Sequence, residues 1–96
     1  MLHIINDYPL DSSTFERISW GDTVLFTENA VYALKKGQAA LETLHQYLCH
    51  LNFCVLGTDL KNRGLSCREI PGNVLIIDER DYRDIMENNM AIKSWN

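Results

Sequence analysis

In the stretch RGLSCREI, residues 63–70, Cys67 stands beside Arg68 and four residues from Arg63. Positive charge near a thiol lowers its pKa, and the thiolate is the form that attacks, carries a group or binds a metal. Cys67 with Arg63 and Arg68 is therefore the candidate catalytic group, a carrier thiol. No general base can be picked out beside it, and surface cysteines near an arginine are common, so the residues alone favour a passenger over a reagent. The other two cysteines suit the role less. Cys54 falls in the apolar run Phe53–Leu56, where burial raises a thiol's pKa and blocks access. Cys49 falls near the end of a helix, whose negative dipole end opposes a thiolate.

Metal and nucleotide chemistry have little support. His45 and Cys49 are spaced i and i+4, so a helix would point both the same way. Zinc needs three or four ligands, usually with a second paired spacing, and only Cys54 is near. No metal site is expected. Neither GxGxxG nor GxxxxGK[ST] occurs, so no nucleotide or other cofactor is expected either.

The elements that must position these groups can be read in order. Leu2–Ile5 is a short apolar strand ended by Asn6-Asp7-Tyr8-Pro9. Ser12-Ser13-Thr14 can cap a short helix reaching about Ser19, with Phe15 and Ile18 inward. Thr23–Thr27, β-branched and aromatic, is the second strand. Glu28-Asn29 starts a helix over Ala30 to Lys36 that Gly37 ends. A further helix runs from Gln38 to about Leu51, with Leu41, Leu44, Leu48 and Leu51 on one face. Phe53–Leu56 is the third strand, followed by a helix from Asp59 to Arg63, capped by Thr58 and stopped by Gly64. Val74–Ile77 is the fourth strand, apolar on both faces. Asp78 caps the last helix, where Tyr82, Ile85 and Met86 share a side, and a short tail ends in Trp95 and Asn96.

Strands alternating with helices, and apolar all round, predict an α/β fold of three layers, helix, sheet, helix, with a mostly parallel sheet of about four strands. In such sheets functional groups collect beyond the carboxyl ends of the strands. Those positions here are Asn6-Asp7, Glu28-Asn29, Gly57-Thr58-Asp59 and Asp78-Glu79; Asn29, Thr58 and Asp78 read as helix caps rather than as catalytic groups.

A chain of 96 residues makes a single domain, 1–96. It buries only about 60–65% of its unfolded surface, so contact with a partner would stabilise it. A net charge of −4 and the absence of any concentrated basic face weigh against direct nucleic-acid binding. No apolar run approaches the roughly 20 residues of a membrane span, and Asn6-Asp7 interrupts the N-terminus before a signal pattern forms. Three cysteines without framework spacing suggest free thiols in a reducing compartment. The expected location is cytoplasmic.

Taken in order, LHIINDYP, GDTVLFTENAVYALKKG, CVLGTDLKNRGL, IPGNVLIIDERDYRDIMENN and the closing KSW resemble the TusB/DsrH family of sulfur-relay subunits, over nearly the whole chain. The resemblance implies a DsrE/F-like fold and partnership with TusC/DsrF-like and TusD/DsrE-like siblings in a hetero-oligomer. It implies indirect exchange with TusA- and TusE-like sulfur carriers. The sulfur's destination would be the 2-thio group of the tRNA wobble uridine or, in DsrEFH-like complexes, dissimilatory sulfur oxidation. The persulfide cysteine of such complexes belongs to the TusD/DsrE-like sibling, so this chain is expected to be a structural partner and not an enzyme. The alternative is a small sulfurtransferase carrying persulfide on Cys67. Two departures stand out. The region 11–18 lacks the cysteine some DsrH members carry, and Asn29-Ala30 replaces the family's frequent Asp-Gly. If that loop needs a glycine's positive φ, Ala30 requires the helix to start differently.

Overall fold

The computed structural model describes residues 2–6, 17–35, 44, 47 and 50–88, together with the backbone of 92–95. The described residues include five strands: β1 (Leu2–Ile5), β2 (Thr23–Phe26), β3 (Asn52–Leu56), β4 (Leu75–Ile77) and β5 (Ile92–Trp95). They form one sheet in the order β4-β3-β2-β1-β5, and every adjacent pair is parallel. A 3-10 helix (Glu28–Leu34) follows β2, helix α1 (Gly57–Asn62) follows β3, and helix α2 (Glu79–Asn88) follows β4.

The layers follow from the hand of the crossovers. Parallel strands are joined by right-handed connections, so successive steps in one direction across a sheet leave their helices on one face. The chain steps β1, β2, β3, β4 in one direction and returns from β4 to β5 in the other. The larger core lies on the first face, where Val24, Phe26, Phe53 and Val55 meet Ala30, Val31, Leu34, Leu60 and Leu65. Phe26 and Phe53 meet edge to face there, centroids 5.3 Å apart. The smaller core lies on the other face, where Leu2, Ile4, Leu25, Cys54 and Ile77 pack under Tyr82, Ile85 and Met86 of α2. Alternate residues of β1, β2 and β3 supply the two cores, as the pleat requires. This is the expected α/β sheet with helices on both faces.

Several local expectations change. The tail contributes a fifth strand, because Ile92–Trp95 pairs with β1 across the whole length of the chain. Glu28–Leu34 is a 3-10 helix and ends before Gly37. Three residues per turn stack Ala30 on Ala33 and Val31 on Leu34, and all four are buried. Thr58 does not cap α1, whose N-cap is Leu56 with no side-chain cap. Asn29 caps nothing either; its Oδ1 accepts from Arg63 Nε at 3.2 Å. Asp78 does cap α2, its Oδ1 accepting the Asp81 N–H at 2.8 Å. Gly64 ends α1 with φ +70°, and the Leu65 and Gly64 N–H groups return to the Leu60 and Lys61 carbonyls. That is a Schellman closure, which favours glycine because a Cβ resists this φ. Of the proposed inward faces, Ile18, Leu44 and Leu51 are buried; the helix cap at 12–14, Phe15, Leu41, Leu48, Cys49 and His45 lie outside the described residues.

At the amino end of the sheet a polar latch joins β1 to β2. His3 Nε2–H donates to Asp22 Oδ2 at 2.9 Å, and His3 is itself buried. The His3 hydrogen bond holds the Asp22 carboxyl below its ordinary value, against the opposing effect of burial. A carboxylate with a lowered folded-state pKa stabilises the fold fully above its unfolded pKa, and that contribution disappears as the pH falls through the folded value. Asp22→Asn should cost about 1–2 kcal/mol at pH 7. The gap between variant and parent should close as the pH is taken below about 4, measured by denaturant unfolding at both pH values.

Candidate functional site

Beyond the carboxyl ends of β2, β3 and β4 lies an open cleft of about 450 Å³, lined by Glu28, Leu56, Asp59, Glu79, Tyr82 and Arg83 among others. Its position is the one the parallel topology dictates. Each wall begins where a strand gives way to a helix: β2 to the 3-10 helix, β3 to α1, β4 to α2. Gly57 lets α1 start close against β4, since a Cβ there would lie 3.3 Å from Ile76 Cγ2.

Asp59 organises this end of the molecule. Its Oδ2 accepts the Glu28 backbone N–H at 2.9 Å, and its Oδ1 lies 3.5 Å from Arg63 Nη1, one helical turn on. Glu28 has φ +51°, in the left-handed region that β-carbon-bearing residues avoid. The left-handed step of this loop is thus taken at Glu28. Ala30 lies past it, buried inside the 3-10 helix, which is how the chain dispenses with a glycine at that position. The Thr27 hydroxyl is engaged by the Ile5 carbonyl, 3.5 Å away. The lining brings together carboxylates, a guanidinium and a phenol, a surface suited to polar contact, and among the described residues no cysteine lines it.

The candidate thiol lies elsewhere. Cys67 opens the one-turn 3-10 helix Cys67–Glu69 on the return from α1 to the start of β4, and it is exposed and not in a disulfide. Arg63 does not serve it: the guanidinium is taken up by Asn29 and Asp59. The Arg68 backbone N–H donates to Ser66 Oγ, which caps the turn. Cys54 is buried in β3, and burial pushes its thiol pKa up. Among the described residues no three His, Cys, Asp or Glu side chains converge to hold a metal ion, and no helix is long and apolar enough to cross a membrane.

Sequence reasoning placed Asp59 and Glu79 at the correct end of the sheet but missed the Asp59–Glu28 contact. Its two partners are 31 residues apart, and a left-handed glutamate carries no sequence signal. The coupling can be measured. Asp59→Ala should cost about 1–2 kcal/mol in unfolding free energy. Glu28→Gly, which removes the Cβ strain, should leave stability equal or raise it by up to about 1 kcal/mol. The cost of Asp59→Ala should persist in the Glu28→Gly background, within about 0.5 kcal/mol of that in the parent, because Asp59 binds the backbone N–H, which glycine retains.

Comparison with known proteins adds a family. The family model described as DsrH like protein matches residues 10–91. No curated protein matches the sequence. Among solved structures, the ychN protein from E. coli is similar at TM-score 0.70 and 16% identity, with 98% of this chain and 97% of that one covered. A protein of unknown function from Methanobacterium thermoautotrophicum, MTH1491, is similar at TM-score 0.69 and 15% identity, covering 98% of this chain and 96% of that one. At such identities the likeness is one of fold.

Proposed function

The chain belongs to the DsrH-like family, and from that premise we propose that it is a non-catalytic subunit of a cytoplasmic sulfur-relay complex of the TusBCD or DsrEFH kind. In this role it completes a hetero-oligomer with TusC/DsrF-like and TusD/DsrE-like siblings, one of which presents the persulfide. TusA- and TusE-like carriers deliver and collect the sulfur, and the favoured destination is the 2-thio group of the tRNA wobble uridine.

The observation that carries this reading is the family match, which spans residues 10–91 of a 96-residue chain. The position of Arg63 supports the non-catalytic part. A thiolate needs nearby positive charge to be available near neutral pH, and this cation is committed to Asn29 and Asp59. The sulfurtransferase alternative on Cys67 is left with Arg68 as its neighbouring cation.

Co-expression with TusC- and TusD-like siblings, followed by affinity purification on this chain, should recover both siblings. Recovery of this chain by itself would count against the reading. Cys67→Ser should leave the rate of sulfane-sulfur transfer through the assembled complex within about twofold of the parent, an energy difference of about 0.4 kcal/mol. Rapid loading and release of sulfane sulfur by the isolated chain, abolished by Cys67→Ser, would establish the sulfurtransferase instead.

A further inference from the structure

The exposed large apolar side chains of the described residues include two that are consecutive, Leu75 (61% exposed) and Ile76 (39%). Both belong to β4, which ends the sheet on one side. Consecutive strand residues point to opposite faces, so one surface docking onto one face of the sheet covers only one of them. Both are covered at once by a partner that meets the edge and continues over both faces, which is what an added strand does. The topology explains why this edge stays bare. Helix α2 leaves β4 to reach β5 on the far side of the sheet, and its apolar residues pack on Ile77, the last residue of β4, and on the inner strands, while Leu75 stays exposed.

Charge indicates what kind of strand fits. The carboxyl end of β4 runs into Asp78, Glu79 and Asp81, all exposed, with Arg80 as the only cation among them. A second copy of this chain would pair antiparallel about a two-fold axis, setting that acidic end beside Gly72 and Asn73 of its mate. Between Ile70 and Ile77 the chain has no basic residue to offer. Two side chains also fall far short of the roughly 800 Å² per partner that a stable dimer buries.

We infer that the free edge of β4 receives an extended strand from a different chain, with apolar side chains on both sides and a basic residue at the end meeting Asp78 and Glu79. This deepens the subunit reading, on which it rests for the identity of that chain as a sibling or carrier. The partner's strand supplies the backbone donors and acceptors that an edge leaves unpaired, and its basic residue completes the charge.

The probes are two capped peptides, Lys-Val-Thr-Val-Thr-Val and Val-Thr-Val-Thr-Val-Lys, for the two possible directions of entry, and their counterparts with Glu in place of Lys. Binding is read from backbone amide NMR shifts. One lysine peptide should shift the Leu75–Ile77 amides saturably, and its Glu counterpart should bind about three- to fivefold more weakly, as an exposed ion pair gives. Leu75→Lys, at an exposed position and so able to fold, should weaken the lysine peptide. Shifts elsewhere but not at β4, equal affinity for the Glu peptides, or β4 amides that change with the chain's own concentration would each overturn the inference. The last result would assign the edge to a second copy. Peptide binding involves no sulfur and no sibling, so failed co-purification with intact peptide binding sinks only the subunit reading, and the converse sinks only this one.

Discussion

A parallel sheet must be covered on both faces, because its strands are joined by crossovers that lie over them and its central side chains have no polar side to show to water. A chain of 96 residues meets that requirement unevenly. Three forward steps across the sheet gather their connections on one face and build the larger core there. The single return step from β4 to β5 must cover the other face with α2. The sheet centre is closed as a result: Leu2, Val24, Leu25, Phe26 and Val55 have no exposure at all. Among the described residues, Leu75 and Ile76 of β4 remain exposed, on the strand that α2 leaves behind.

The same topology decides what stands at the carboxyl ends of the strands. The chain leaves β2 through a glutamate in a left-handed conformation and leaves β3 directly into α1. One carboxylate, Asp59, joins the two exits by accepting the Glu28 N–H while holding Arg63. A non-glycine residue in this conformation is a local cost of about 1–2 kcal/mol, which the Asp59 hydrogen bond offsets. The end of the sheet where such folds usually place their chemistry is here occupied by contacts that fix the backbone.

This bears on the proposed place of the chain in a sulfur relay. A reactive thiol needs cations aimed at it, exposure and a setting that holds an incoming group. Cys67 has the exposure, but the arginine four residues before it turns toward β2 and α1. Asn29 and Ala30 fall in the 3-10 helix that follows β2, outside the strand ladder.

Much of the architecture was legible in one dimension. The four apolar runs became β1 to β4, Gly64 stopped α1, Asp78 capped α2, and Tyr82, Ile85 and Met86 formed its inner side. Each of these rests on local pattern or on the conformational preference of a single residue, which a sequence displays directly. Other features depended on partners distant along the chain. Ile92–Trp95 became a strand because β1 lay beside it, although Lys93 and Ser94 dilute its apolar pattern. Asn29 and Thr58 are not caps because their helices begin one residue earlier, at Glu28 and at Gly57, and the Asn29 oxygen accepts from Arg63 instead. Leu75 and Ile76 read as core because an apolar run looks the same in a central strand and at an edge. Propensity and periodicity are properties of neighbours in sequence, whereas exposure, ion pairing and strand order are properties of neighbours in space, and only the folded chain assigns those.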